Sequence, residues 1–190
     1  MSRRHFDGRT NVSHPQAALS RVDLVFRLFD ANASGAIEAN DFEIMARRVV
    51  EAAPQSDAAA KEAMTAAFHR YWKTLAEELD DDRNGRINRE EFEDSVLSPE
   101  RFEATIDEFA RSLARLGDPD GDGLIERHVF TALMSAIGFE QQNIDALFDA
   151  LEPDPDDRIP VSTWVSSIQE FYRPDAAGIP GDRLVPSVAG

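Results

Sequence analysis

Residues 80–91 read DDDRNGRINREE, and this stretch decides the fold of the chain. Acidic or amide side chains stand at its first, third and fifth positions, a glycine at its sixth and a glutamate at its twelfth. Calcium takes about six to eight oxygen ligands at roughly 2.3–2.6 Å, and Gly85 permits the sharp turn that brings the chain back around one ion. A solvated acidic turn is the alternative, but apolar helical stripes on both sides favour a metal loop. The predicted calcium ligands are Asp80, Asp82, Asn84, the Arg86 carbonyl and both carboxylate oxygens of Glu91.

The same pattern recurs at three other places, so the chain is built from an internal repeat. In each copy an isoleucine stands two residues after the turn position, and an aromatic residue follows five positions later. These residues are Ile37, Ile87, Ile125 and Ile159, followed by Phe42, Phe92, Phe130 and Trp164. We call the repeated segments loop 1 (30–41), loop 2 (80–91), loop 3 (118–129) and loop 4 (152–163). Because paired loops exchange a short antiparallel contact at the isoleucine, we expect loop 1 to pair with loop 2 and loop 3 with loop 4.

Loop 1 is the second candidate metal site. Its predicted ligands are Asp30, Asn32, Ser34, the Ala36 carbonyl, Glu38 and Asp41. Asp41 is one methylene shorter than the glutamate of loop 2, so we expect it to reach an ion with one oxygen, and this favours the six-fold geometry of magnesium. Glu38 is long enough to ligate directly and to replace the missing oxygen. We therefore predict calcium, with magnesium as an alternative, while a purely structural turn remains the competing interpretation.

Loop 3 matches the metal-binding pattern at its first positions but not at its last. Its predicted ligands are Asp118, Asp120, Asp122, the Leu124 carbonyl and Glu126. Val129 stands at the twelfth position, where a carboxylate would supply up to two oxygens. Acidic side chains crowded together without a metal are costly unless the loop stays open. We expect calcium binding weaker than at loop 1, or an open loop without metal.

Loop 4 keeps acidic residues at its first three ligand positions, Glu152, Asp154 and Asp156, but little else of the metal-binding pattern. Asp157 occupies the glycine position, Pro160 the ninth position and Thr163 the twelfth. The turn is therefore expected to be strained, and no side chain closes the coordination shell. We predict a structural unit that no longer binds metal.

Local signals place helices on both sides of the loops. An apolar stripe of Leu19, Val22, Phe26 and Phe29 leads into loop 1. Asp57 is predicted to cap the helix before loop 2, Ser98 to cap the helix before loop 3, and Gly138 to end the helix after loop 3.

Composition excludes several classes of protein. The 190 residues carry 20 basic and 36 acidic side chains, a net charge of −16, which disfavours nucleic acid and anionic membrane as partners. The chain has no cysteine, which excludes disulfide scaffolds, thiolate metal sites and cysteine nucleophiles. It has no apolar run near the roughly 18 residues of a membrane span and no apolar stretch behind its basic N-terminal residues. We therefore expect a cytoplasmic protein.

No residue pattern indicates an enzyme. The histidines His5, His14, His69 and His128 form neither a catalytic triad nor a zinc-binding spacing. The acidic clusters could suggest acid–base catalysis, but the calcium-loop pattern explains them more completely. We predict neither catalytic residues nor a cofactor other than the metal ions.

The loops identify the chain as a member of the EF-hand superfamily over about residues 19–172. Within it the chain resembles the sarcoplasmic calcium-binding proteins and their bacterial counterpart calerythrin. The spacing carries this closer resemblance, with 50 residues from Ile37 to Ile87 and then 38 and 34 to the next isoleucines. The pairing of Glu38 with Asp41 and an apolar C-terminal tail are also similar. Family members commonly keep the third loop intact, whereas Val129 interrupts it here, so the set of filled sites should not be copied from relatives.

The resemblance implies an all-α fold of four EF-hand helix–loop–helix units in two packed lobes, a compact member of the calmodulin-like superfamily. We expect four regions: a flexible arm (1–16), an N-terminal pair of hands (17–98), a C-terminal pair (99–173) and a tail packed on the body (174–190). We also expect a monomer.

The resemblance further implies calcium buffering or transport. The alternative is a sensor that changes shape to bind a specific protein partner. Only Met45, Met64 and Met134 follow the initiator methionine, whereas sensors of the calmodulin type use methionine-rich grooves. This composition favours the buffer.

Overall fold

A computed structural model describes residues 16–95, 99–173 and 175–186. In these ranges the chain forms α-helices Gln16–Phe29 (α1), Ala39–Glu51 (α2), Ala58–Leu79 (α3), Arg89–Ser95 (α4), Pro99–Leu116 (α5), Arg127–Ile137 (α6), Gln141–Ala150 (α7) and Val161–Phe171 (α8). The strands are Ile37–Glu38 (β1), Arg86–Ile87 (β2), Leu124–Glu126 (β3) and Arg158–Pro160 (β4), and a 3-10 helix covers Pro180–Leu184. The prediction of an all-α fold with four helix–loop–helix units is confirmed. The predicted arm lies outside the described residues except for Gln16, which begins α1.

The loops meet in pairs at the repeated isoleucines, as the repeat predicts. β1 runs antiparallel to β2 with Ile37 opposite Ile87, and β3 runs antiparallel to β4 with Ile125 opposite Ile159. All four side chains are 0% exposed. Each pair of loops is therefore fixed side by side by a short backbone ladder above a buried aliphatic contact.

Two of the predicted helix ends are confirmed. The Asp57 carboxylate accepts a hydrogen bond from the Ala60 N–H at 2.6 Å, as an N-cap does. Gly138 takes a φ of 118° at the end of α6, and its N–H donates to the Met134 carbonyl. Ser98 lies outside the described residues.

The predicted apolar stripe of α1 is wrong at its first position. Leu19 is 45% exposed, whereas Val22, Phe26 and Phe29 are buried as predicted. Arg21, which is 2% exposed, occupies a buried position on this helix instead. The physical reason is that the C-terminal segment supplies hydrogen-bond acceptors to this guanidinium.

That segment runs back across α1. The Arg21 guanidinium pairs with Asp182 and donates to the carbonyls of Arg173 and Ala176 at 2.8 and 2.9 Å. Leu184 is buried, and its carbonyl accepts a hydrogen bond from the Asn143 side chain at 2.9 Å. The described part of the segment thus contacts helices near both ends of the chain.

Both halves of the molecule share one hydrophobic core. We call residues 16–95 the N-terminal lobe and residues 99–171 the C-terminal lobe. Phe109 of α5 lies edge-on to Phe68 and Tyr71 of α3, with ring centroids 5.1 and 5.5 Å away. The buried Ser56 hydroxyl donates to the Leu116 carbonyl across the same boundary at 2.7 Å. The lobes therefore form a single packed body.

We expect Phe109→Ala to destabilise both lobes together, by about 3–5 kcal/mol, because it empties the shared aromatic cluster. Leu19→Ala is the control, since an exposed side chain contributes within about 0.5 kcal/mol. Urea unfolding followed by circular dichroism measures both variants. Two separate transitions in the wild type, or equal effects of the two substitutions, would contradict the shared core.

Candidate metal centres

The backbone of loops 1 to 3 turns through the left-handed region twice. Positive φ angles occur at the fourth and the sixth loop positions. They are 57° and 89° at Ala33 and Gly35, 56° and 78° at Arg83 and Gly85, and 72° and 83° at Gly121 and Gly123. Only the glycine at the sixth position was predictable from the sequence. The fourth position carries alanine and arginine in two loops, so residue type gives no signal there, and the tertiary structure offsets the cost of this conformation.

This double turn aims backbone amides at the first aspartate of the loop. The Asp80 carboxylate accepts from the N–H groups of Asn84 and Gly85 at 3.0 and 2.9 Å. The Asp30 carboxylate accepts from Ser34 and Gly35, each at 2.8 Å. These hydrogen bonds fix the position of the first predicted ligand.

Loop 2 brings its predicted carboxylates together. Asp80, Asp82 and Glu91 each place one oxygen within 4.8 Å of the others. Two oxygens that bind one calcium at about 2.4 Å can be at most about 4.8 Å apart, so the cluster has the size of a shared coordination shell. The Asn84 side-chain oxygen instead accepts a hydrogen bond from the Arg86 N–H at 2.7 Å.

A capping box positions the closing glutamate of loop 2. The Glu91 carboxylate accepts from the Asn88 N–H at 2.9 Å, and the Asn88 side chain accepts from the Glu91 N–H at 3.1 Å. The start of α4 therefore holds Glu91 over the loop. The residues present fit a hard divalent cation that prefers oxygen ligands.

Loop 3 forms a second cluster, from Asp118, Asp120 and Asp122, whose oxygens also lie within 4.8 Å of one another. One Asp118 oxygen accepts from the Gly123 N–H at 3.0 Å, whereas the other is buried without a hydrogen-bond partner among the described residues. An unsatisfied buried carboxylate oxygen is costly, and a cation would satisfy it. Glu126 does not belong to this cluster, and Val129 packs against the hydrophobic core.

Loop 1 is arranged differently, because its closing carboxylate is fully buried and the carboxylate at its ninth position is paired with an arginine. Asp41 is 0% exposed and accepts from the N–H groups of Asn32 and Glu38 at 3.0 and 2.8 Å. Burial raises the pKa of Asp41, although these two hydrogen bonds act in the opposite direction. The Glu38 carboxylate lies 2.8 Å from the guanidinium of Arg86 in loop 2. Among the described residues, the carboxylates of loop 1 do not form a cluster like those of loops 2 and 3.

The two uncharged oxygen ligands predicted at the fifth and seventh positions of loop 1 also bind each other. The Ser34 hydroxyl donates to the Ala36 carbonyl at 3.0 Å. A cation in this loop would therefore have to replace hydrogen bonds that loop 2 does not make.

Loop 4 uses another turn, and Pro155 explains why. Proline at the fourth position cannot adopt the positive φ that the other loops use there. Positive φ angles occur instead at Glu152, 55°, and Asp157, 63°. The loop is organised around Asp154, whose carboxylate accepts from the N–H groups of Asp156 and Arg158 at 2.9 and 3.0 Å. The first position therefore no longer points a carboxylate at the loop amides.

Comparison with known proteins agrees with this architecture. Residues 19–97, which include loops 1 and 2, match the family model of the EF-hand domain pair. This match confirms the EF-hand identification from the sequence over the first pair of loops. A comparison with curated protein sequences finds no match.

Solved structures share the fold over most of the chain. A Streptomyces coelicolor calcium-binding protein is 24% identical with a TM-score of 0.69, covering 84% of this chain and 99% of its own. The sarcoplasmic calcium-binding protein of amphioxus is 19% identical with a TM-score of 0.66, covering 91% and 98%. The photoprotein clytin is 14% identical with a TM-score of 0.70, covering 91% and 94%. None of the helices in the described ranges combines the length and apolar character that a bilayer span requires.

We expect Asp118→Asn to stabilise the metal-free protein, because it removes one charge from the loop 3 cluster. Charges within 4.8 Å of each other repel by about 1 kcal/mol or more even in a water-like dielectric, which corresponds to about 2–4 °C in the unfolding midpoint. Thermal unfolding in excess chelator measures the shift. Glu62→Gln, at an exposed position of α3, removes the same net charge far from the loops and controls for global repulsion. An equal rise in both variants, or a lower midpoint for Asp118→Asn, would refute the local repulsion.

Proposed function

We propose that this chain binds calcium ions and acts in the cytoplasm as a calcium buffer or transporter of the sarcoplasmic calcium-binding protein type. The observation that carries this proposal is the geometry of loop 2, where three carboxylates lie within one coordination shell and Glu91 is held in place by the first turn of α4. The fold and the oxygen-only donor set support the same conclusion.

The proposed ligands follow the loops. Loop 2 provides Asp80, Asp82, Asn84, the Arg86 carbonyl and Glu91, and we assign it the strongest calcium site. Loop 3 provides Asp118, Asp120 and Asp122 with the Leu124 carbonyl and Glu126, at lower affinity because Val129 contributes no oxygen. The orphaned Asp118 oxygen supports a cation there.

Loop 1 is proposed as a site that exchanges protein contacts for metal contacts. Its ligands are Asp30, Asn32, Ser34, the Ala36 carbonyl, Glu38 and Asp41. Filling it requires Glu38 to leave Arg86. The short Asp41 side chain gives this loop the geometry that magnesium also accepts.

The calcium-dependent step in this proposal is the relief of repulsion. Without metal, the carboxylates of loops 2 and 3 face each other across short distances. An ion replaces this repulsion with ligation, so that calcium binding and folding are coupled.

A buffer is supported by the way the apolar faces are used. Met45, Met64 and Met134 are all buried, and both lobes contribute to one continuous core. A sensor of the calmodulin type needs an apolar groove that opens to solvent, whereas here each lobe already covers the other. Leu19 is the only large hydrophobic side chain exposed in the described part of the chain.

A calcium-dependent regulator is the second candidate. The similar Streptomyces coelicolor protein is described as acting in calcium-mediated regulation. In a regulator, calcium binding would have to separate surfaces that are in contact in this structure.

We expect Glu91→Gln to weaken the tightest calcium site by at least about 10–100-fold, since even changes outside the coordination shell produce losses of that size. Titration calorimetry on the metal-stripped protein measures affinity and stoichiometry. Glu90→Gln makes the same chemical change at an exposed neighbouring position and serves as the control. Unchanged binding by Glu91→Gln would remove loop 2 as the strongest site.

We expect calcium to cause little or no increase in the fluorescence of an apolar-surface dye, because the shared core leaves no groove to open. The measurement compares dye fluorescence in calcium and in chelator at equal protein concentration. Calmodulin is the positive control, because calcium opens its apolar groove. A calcium-dependent rise comparable to that of calmodulin would favour the regulator over the buffer.

A further inference from the structure

Two guanidinium groups contact the carboxylates of loop 4. Arg158, at the seventh position of this loop, places its Nε 3.1 Å from Asp154 and its Nη2 3.0 Å from both Asp154 and Asp156. Its side chain is 29% exposed, so the cation is partly withdrawn from water. Asp154 and Asp156 are the third and fifth residues of the loop, the positions that present ligands in loop 2.

The second guanidinium comes from loop 3. Arg127, the first residue of α6, binds both oxygens of Asp157 at 2.7 and 2.9 Å and Asp149 of α7 at 2.6 Å. It also lies over the Phe148 ring, 4.3 Å from the centroid. An isolated surface ion pair would contribute little to the stability of the fold. This network differs from one in its bidentate geometry, its stacking on an aromatic ring and its shared partners.

Arg127 and Asp157 of this network also extend the backbone ladder between β3 and β4. Beyond the paired strands, the Arg127 N–H donates to the Asp157 carbonyl at 3.2 Å, and the Val161 N–H donates to the Gly123 carbonyl at 3.0 Å. The network therefore ties together both the side chains and the backbone of the two loops.

The pKa values of these groups are shifted in the directions that their contacts favour. Burial acts to raise the pKa of Asp154, but hydrogen bonds from Arg158 bring it below its usual value. Hydrogen bonding to Arg127 lowers the pKa of Asp157. Asp122 of loop 3 also contributes to raising the pKa of Arg158, so this cation acts on the neighbouring cluster as well.

We propose that Arg158 and Arg127 serve as built-in cations of the fourth hand, taking over the charge neutralisation that a metal provides in a binding hand and holding β4 against β3 without any ion. The C-terminal pair of loops then keeps its ladder at every calcium concentration and presents loop 3 in a preformed shape. The N-terminal pair, whose loop 2 carboxylates face each other without a guanidinium between them, then depends more on calcium for its ladder than the C-terminal pair does. This last statement rests on the proposed function, whereas the role of the arginines does not.

Amide hydrogen exchange in excess chelator tests this proposal without using calcium. In the wild type, peptides that cover β3 and β4 should exchange more slowly than those that cover β1 and β2. Arg158→Gln should speed exchange in β3 and β4 by about tenfold or more, because two carboxylates lose charge-assisted hydrogen bonds, and leave β1 and β2 unchanged. Arg158→Lys, which keeps the charge but not the planar fork, should give an intermediate rate.

Arg111→Gln is the matched control, because it removes the same charge from an exposed ion pair with Asp107 on α5. The proposal is overturned if Arg158→Gln and Arg111→Gln exchange alike at β3 and β4, or if β3 and β4 are no slower than β1 and β2 in the wild type. Global loss of protection in Arg158→Gln with wild-type rates in Arg158→Lys would still support a cation requirement. Adding calcium is a separate arm: if it slows no segment of the wild type, the proposed calcium binding fails while the role of the arginines stands.

Discussion

Carboxylates held within one coordination shell repel each other, and every loop of this protein has to offset that repulsion. Loops 2 and 3 each hold three carboxylates that place an oxygen within 4.8 Å of one another, an arrangement that suits a divalent ion. Loop 1 pairs Glu38 with Arg86 and buries Asp41. Loop 4 surrounds its carboxylates with guanidinium groups. The four repeats thus share one backbone plan but differ in the group that supplies the positive charge.

The hydrophobic core converts these local differences into one structure. The buried isoleucine pairs link the loops two by two, and the aromatic contacts of Phe109 with α3 link the two lobes. Because the apolar faces are used up in these contacts, a change in one loop acts on the shared core rather than on a solvent-exposed groove. This organisation supports the proposed role as a calcium buffer.

The fold was predictable from sequence because its main determinants are local and repeated. The spacing of Asp80, Gly85 and Glu91 predicts the turn, and the recurring isoleucine predicts the pairing of the loops. The contacts that could not be predicted depend on partners remote in sequence. Nothing adjacent to Leu19 or Arg21 indicates that the arginine is the buried residue, and nothing adjacent to Arg127 indicates that it reaches loop 4. The assignments of individual metal ligands remain predictions, although the structure brings the three carboxylates of loop 2 together.

The ion pair and hydrogen bonds of Arg21 with the C-terminal segment have a consequence for the order in which the protein folds during synthesis. The ion-pair partner Asp182 lies 161 residues further along the chain than Arg21, and the carbonyl acceptors lie 152 and 155 residues away. While the ribosome is still translating the fourth hand, this guanidinium has none of these acceptors and the first helix cannot complete its packing. The closing of such a long loop comes late because its entropic cost must be met before the contact can form. The first hand to be synthesised is therefore among the last to reach its final structure.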